Sequence, residues 1–300
     1  MSLFFKNRTK KYLKSISCGI FDNDYANAFA QTKVAEIVRR HLAEQDGRQK
    51  KVLIYGLDGA RADSMGYVIP GNDETITGHS CRARYSAITE LKEAGGLYLS
   101  YAGGDPQDPK TLQQTSTAQG WAAILTGKWG LENGVQKHVE KRADVPTVLM
   151  EAALAGKRAL FASIWPDHFT ITYKGEIAQA KEKQLPLTFQ QVQDEEELQA
   201  LMLDQIDSGC DVLFGINEFP DHNGHSTGFG PGNCRYVASI ANADRLAFEL
   251  MEHIKSRAAY QKEDWLFLIT SDHGGHDRGH GTQCIEDRAT FIACNKKLKA

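Results

Sequence analysis

Short apolar runs that stop abruptly at glycine or at an acid constrain this chain more than any other feature. In KVLIYGLDG, residues 52–55 are β-prone and wholly apolar before the chain breaks into Gly56 and Asp58. Such runs suit strands buried on both faces of a parallel sheet. Similar runs fall at 97–101, 159–164, 211–216, 266–270 and 290–294. Helical periodicity lies between them. It is expected over 25–45, where Val34, Ile37, Val38 and Leu42 recur at helical spacing, near 146–155, near 194–206, and over 235–255 through Val237, Ile240, Leu246, Leu250 and Ile254. This alternation predicts an α/β fold with a central, mostly parallel sheet sandwiched between helices. Residues 1–50 read as an arm and a helix packing on the core, and 51–300 as one α/β domain. The polar, lysine-rich stretch 166–195 breaks the rhythm and reads as a small lid or as a plain surface excursion.

The bulk numbers narrow the classes of function. A net charge of −3 over 300 residues leaves no basic footprint for a nucleic-acid polymer. No apolar run reaches the length of a membrane span. The N-terminal patch Leu3 to Phe5 in MSLFFKNRTKKYLK is too short for a signal-peptide core, so a solvated basic arm and a cytoplasmic location are expected. Six cysteines occur without a CxxC pair. Cys210 and Cys294 adjoin or lie in strands. Cys234 and Cys284 flank polar loops and could pair, but free thiols are the expected state.

In open α/β sheets ligands gather beyond the carboxyl ends of the strands, and three of the expected strands run into acids and imidazoles there. The first leads to Asp58, the run at 211–216 to Asp221 and His225, and the run at 266–270 to Asp272, His273 and His280. A fourth segment, QQTSTAQGWAAILTG, brings Ser116 and Thr117 to a helix start. Each alone has a plain reading. Asp58 with Gly59 suits a turn, DHNGH a polar turn, SDHGGHDRGHG a solvated loop, and Thr117 a helix N-cap. Together they form a mixed oxygen and nitrogen set of the kind zinc takes. They are numerous enough for two ions about one hydroxyl, the arrangement that clamps both oxygens of an in-line displacement.

The stretches VLIYGLDGARADS, TAQGWAAILTGKWGLENGV, EFPDHNGHSTG and LITSDHGG occur in that order across residues 52–281. In that order they resemble the alkaline phosphatase superfamily, most nearly its branch of type I phosphodiesterases and nucleotide pyrophosphatases. The resemblance implies the same sheet-between-helices fold and two divalent ions, zinc first and manganese second. One ion would be held by Asp58, Asp272 and His273, the other by Asp221, His225 and His280. Thr117 would be the nucleophile, forming a phosphothreonine. His280 follows His273 by only seven residues, a shorter gap than in many such phosphodiesterases, and His276 competes with it as the third ligand. His138 stands where those relatives often carry an asparagine facing a phosphoryl oxygen, and Lys128 could add positive charge. His222 and His276 could tune the ligands from outside, and Arg61 with Asp63 read as an ion pair or cap fixing the first loop. Thr117-Ala118-Gln119-Gly120-Trp121 lacks the C/S-x-P-x-R context that sulfatases need, so a sulfatase is set aside. The implied activity is hydrolysis of small-molecule phosphodiesters. A phosphomonoesterase, a phosphomutase and an inactive metal- or phosphate-binding relative remain as alternatives, and the oligomeric state is left open.

Overall fold

The structure is a computed structural model and describes residues 9–10, 16, 20–66, 75–76, 79–80, 85–137 and 145–298. Its strands are β1 (Phe29–Ala30), β2 (Gln49–Leu57), β3 (Thr75–Ile76), β4 (His79–Ser80), β5 (Gly96–Tyr101), β6 (Ala159–Ser163), β7 (Leu187–Gln191), β8 (Val212–Asn217), β9 (Glu263–Thr270) and β10 (Ala289–Cys294). β3 and β4 pair with each other, and the other eight form one sheet in the order β1-β5-β10-β9-β2-β8-β6-β7. All of these neighbours are parallel except β10, which runs against both β5 and β9. Because β10 is reversed, the connection from β9 to β10 stays at the carboxyl end of the parallel strands instead of crossing a face of the sheet.

The central strand β2 shows why the apolar runs are unbroken. Leu53, Tyr55 and Leu57 pack on one face with Leu213, Leu198, Met202 and Ile240. Val52 and Ile54 pack on the other with Phe214, Leu266, Trp121 and Leu125. With a helical layer on each side, neither face of the strand can be polar. Helix Cys234–Ser256 is capped by Asn233, whose side chain accepts from the Arg235 and Tyr236 amides, and helix Glu195–Asp207 is capped in the same way by Asp194. Helix Lys33–Ala43 buries Val34, Ile37 and Val38 against the same core as β2.

Two expectations are corrected. The helix expected over 25–45 begins only at Lys33. Before it, Tyr25–Asn27 is a 3-10 turn capped by Asp24, and Phe29–Ala30 joins the sheet opposite Ser100 and Tyr101. Strand pairing here overrides a helical pattern. Residues 166–195 do not stand apart as a lid. They supply the π-helical turn His168–Thr172, helix Lys174–Glu182 and strand β7, which extends the sheet beside β6. The half-exposed edge strand explains the polar composition that disguised it. Cys210, Cys234, Cys284 and Cys294 are free thiols. No helix among the described residues is long and apolar enough to cross a membrane.

Candidate metal centre

The turn after β2 sets the first carboxylate. Gly59 adopts φ +65°, and a Cβ there would lie 2.7 Å from Asp221 Oδ1, so only glycine lets the two turns approach this closely. Asp58 Oδ2 accepts a hydrogen bond from Trp121 Nε1 at 2.9 Å. After β9, Asp272 Oδ1 accepts from the Gly59 amide at 3.2 Å. Helix Thr117–Thr126 rests directly on this turn: a Cβ at Gly120 would come within 2.7 Å of the Asp272 Cβ. β8 leads into helix Phe219–Thr227, which places Asp221 and His225 one turn apart on one face. Pro220 sits in its first turn, where a missing amide costs no helical bond.

These turns converge. His273 Nε2 lies 3.5 Å from Asp58 Oδ1 and 3.3 Å from Asp272 Oδ2. The His280 ring stacks on that of His273 at 3.9 Å between centroids, with its Nε2 3.8 Å from Asp221 Oδ1. His225 Nε2 lies 3.3 Å from Asp221 Oδ2. Thr117 Oγ1 is 3.4 Å from His273 Nε2. Two sets of potential ligand atoms result, Asp58–Asp272–His273 and Asp221–His273–His280, each within 4.8 Å of one another. They share His273, so the two sets form one cluster, and His225 joins it through Asp221.

The chemistry of these donors fits cations. Asp58 Oδ1, Asp221 Oδ1 and Asp272 Oδ2 are buried without a hydrogen-bond partner, an arrangement that is costly unless something positive faces them. Each imidazole has its Nδ1 on a backbone carbonyl: His225 on Arg278, His273 on Gly274 and His280 on Thr115, at 3.0, 2.7 and 3.0 Å. Donation from Nδ1 leaves the Nε2 lone pair facing the carboxylates, as metal-ligating histidines require.

The electrostatics follow from burial and from the mutual charge of these groups. Burial, then repulsion from Asp272 and Asp221, holds the Asp58 carboxyl well above the ordinary range, and burial does the same to Asp272. Burial, then the neighbouring His280, pushes His273 down to about 3, and burial lowers His280 as well. At Asp221 burial acts upward, but the His225 hydrogen bond and the surrounding imidazoles bring the net shift below the ordinary value. That same bond raises His225 to about 9.

The sequence-predicted residues separate cleanly. Asp58, Asp221, His225, Asp272, His273, His280 and Thr117 come together. Thr117 is the first residue of its helix and not its cap; Ser116 holds the cap position and makes no side-chain cap bond. His276 points elsewhere, to Asp287 Oδ1 at 2.6 Å. His222 is exposed and only reaches Glu218 at 3.9 Å. Arg61 grips Asp63 through two hydrogen bonds and donates to the Gly275 carbonyl, tying the first loop to the last. Lys128 does not reach the site. It pairs with Glu132 on the surface beyond the far end of the ten-residue helix that Thr117 begins, roughly 15 Å away. His138 lies outside the described residues.

Sequence reasoning missed Trp121. It lies one turn after Thr117 on the same helix, and that i+4 spacing was the available signal. It also missed Glu218, whose carboxylate accepts from Ser163 Oγ and from the Ile164 and Trp165 amides, joining the ends of β6 and β8 beside the helix that carries Asp221 and His225.

No family model and no curated protein matches the chain. Solved structures do. It is similar to a 2-O GAG sulfatase at 10% identity and TM-score 0.48, over 84% of this chain and 66% of that one. It is similar to the alkaline phosphatase of the Antarctic bacterium TAB5 at 13% identity and TM-score 0.47, over 83% and 91%. It is similar to murine ectonucleotide pyrophosphatase/phosphodiesterase 5 at 16% identity and TM-score 0.40, over 75% and 57%. The chain thus spans just under two thirds of the sulfatase and little over half of the murine protein. Another similar structure, at 11% identity and TM-score 0.49 over 87% of this chain and 67% of that one, is described as a protein in the alkaline phosphatase superfamily from Vibrio parahaemolyticus.

Proposed function

We propose that this chain is a metal-dependent phosphoric ester hydrolase that cleaves small phosphodiesters, nucleotide-like esters among them, through a phosphothreonine at Thr117. The observation that carries the reading is the position of Thr117 Oγ1, 3.4 Å from the one imidazole shared by two ligand sets. Asp58, Asp272 and His273 would hold one divalent cation, and Asp221, His225 and His280 the other, zinc first and manganese second. Such cations would supply the charge that ionises a hydroxyl and stabilises a leaving oxygen.

The chain's own groups account for the rest. Thr117 Oγ1 attacks phosphorus, the bond to the leaving alcohol breaks, and water later cleaves the phosphothreonine to return the hydroxyl. With Ser116 making no side-chain cap bond, the first-turn amides of the Thr117 helix would be available to the phosphoryl oxygens. Gly120 and Trp121 hold that helix onto Asp272 and Asp58, and so fix the hydroxyl relative to both ligand sets. Asp58, Asp221 and Asp272 form no ion pair with a lysine or arginine among the described residues. A diester carries less negative charge than a monoester and asks for less compensation, which favours diesters.

Thr117→Ala should lower turnover of bis-p-nitrophenyl phosphate by more than about a thousand-fold while bound metal is retained. Acid quench of the parent with labelled bis-p-nitrophenyl phosphate should trap the phosphoryl group, still carrying its second p-nitrophenyl ester, on Thr117. Activity retained in the variant would transfer the role to Ser116 or to direct attack by water. Faster hydrolysis of the mono-p-nitrophenyl ester by the parent would make the protein a phosphomonoesterase. Turnover that is indifferent to a chelator would remove the cations from the scheme.

A further inference from the structure

We propose that His276, Cys284 and Asp287 form a third cation site, suited to a borderline-soft ion such as zinc, which pins the loop that presents His280. The three offer an imidazole, a thiol and a carboxylate whose ligand atoms lie within 4.8 Å of one another. His276 Nδ1 is 2.6 Å from Asp287 Oδ1 and 3.4 Å from Cys284 Sγ, so both other donors converge on one nitrogen. A relay that passes a proton along Asp, His and Cys would need them on opposite ring nitrogens. The mutual proximity of all three donor atoms is what ligation of one ion requires.

The site is pre-organised from behind. Asp287 is fully buried, and its Oδ2 accepts from the Thr282 amide and hydroxyl, both at 2.8 Å, which turns Oδ1 toward the imidazole. The His276 side chain is 23% exposed and Cys284 is half-buried, leaving an entry path and a fourth position for water. On binding, the ion takes the place of the hydrogen bond between His276 and Asp287, and the thiol releases its proton. Two ligands about 2 Å from a tetrahedral ion stand about 3.3 Å apart, so the imidazole withdraws slightly from the carboxylate.

An ion held here would also steady the neighbouring pocket. Between His276 and Gly279, which exchange two backbone hydrogen bonds, the chain turns through Asp277 at φ +51°. That turn supplies the Arg278 carbonyl that orients His225, and His280 follows at once. Ligation by His276, Cys284 and Asp287 would hold both ends of this segment.

The proposal does not depend on the hydrolase reading, because neither ligand set of that pocket contains a cysteine. Metal-stripped full-length protein titrated with cobalt(II) should develop a near-ultraviolet thiolate-to-cobalt charge-transfer band that saturates at one thiolate-bound ion per chain. Cys284→Ser should abolish the band and lower bound cobalt by one equivalent. Asp221→Asn should keep the band while losing cobalt from the neighbouring pocket, which separates failure of one site from failure of the other. Absence of the band in the parent at saturating cobalt, or its survival in Cys284→Ser, would overturn the proposal.

Discussion

The same three central strands carry buried charge at both ends, and the two ends solve the problem differently. At the amino ends of β2, β8 and β9, Asp211 and Asp264 meet lysines. Lys50 reaches Asp264 at 2.6 Å and Glu44 at 3.1 Å, while Lys51 reaches Asp211 at 3.2 Å and the Gly209 and Cys210 carbonyls at 2.9 and 3.0 Å. At the carboxyl ends of the same strands, Asp58, Asp221 and Asp272 meet no lysine or arginine among the described residues; their partners are imidazoles, the Trp121 indole N–H and the Gly59 amide, and each retains a buried carboxylate oxygen without a hydrogen-bond partner. One end brings its own cations and is a structural joint. The other leaves its carboxylates without a lysine or arginine among the described residues, the condition under which a bound cation would be stabilising.

After the loss expected at Thr117, the largest effect should come from removing the internal cation. Lys51→Met leaves Asp211 and two carbonyls short of a buried donor and should cost about 3 kcal/mol in urea denaturation. Asp58→Asn should behave oppositely. In the presence of chelator it relieves repulsion and keeps the Trp121 bond, so stability should hold or rise by up to about 1 kcal/mol while metal occupancy and turnover fall. If Asp58→Asn destabilised the metal-free protein as much as Lys51→Met, the contrast between the two ends would be lost.

Trp121→Phe sharpens the carboxyl end alone. It removes the N–H that orients Asp58, so metal affinity should drop about 10- to 100-fold by competitive titration; unchanged affinity would make Trp121 a packing residue only. A smaller effect is expected with pH. His225 has its folded value raised to about 9 by Asp221, so its contribution is complete below the unfolded value near 6.5 and is lost as pH rises through 9. The raised carboxyls of Asp58 and Asp272 act in the same direction, because a folded state that holds extra protons is disfavoured as they leave. The melting temperature of chelated protein should therefore fall between pH 6.5 and 9, and saturating zinc should suppress the fall. A flat or rising profile would contradict this. Smallest of all, Lys128→Ala should leave KM within about twofold and stability within about 0.5 kcal/mol, since its partner is the exposed Glu132.

Much of this was legible in the residues. The runs at 52–55, 211–216 and 266–270 became the three strands that deliver the carboxylates, because strands buried on both faces must be apolar throughout and must shed polar residues at their ends. Asp221 and His225, four apart, were bound to share a face once the segment was helical. Less visible was anything decided by edges and by long-range contact. β1 and β7 are short or half-exposed strands whose sequences look like helix and loop, and only the sheet they join makes them strands.

The sequence by itself determined the α/β layering and which residues could bind metal, since periodicity and side-chain chemistry are local properties. Tertiary structure alone decided that His280 and not His276 faces Asp221, that Lys128 lies at the wrong end of its helix, and that His273 stands between two ligand sets. Those outcomes depend on the reversal of β10 and on glycine-sized gaps at positions 59 and 120. Both bring together groups from turns far apart in the chain, at distances no local pattern encodes.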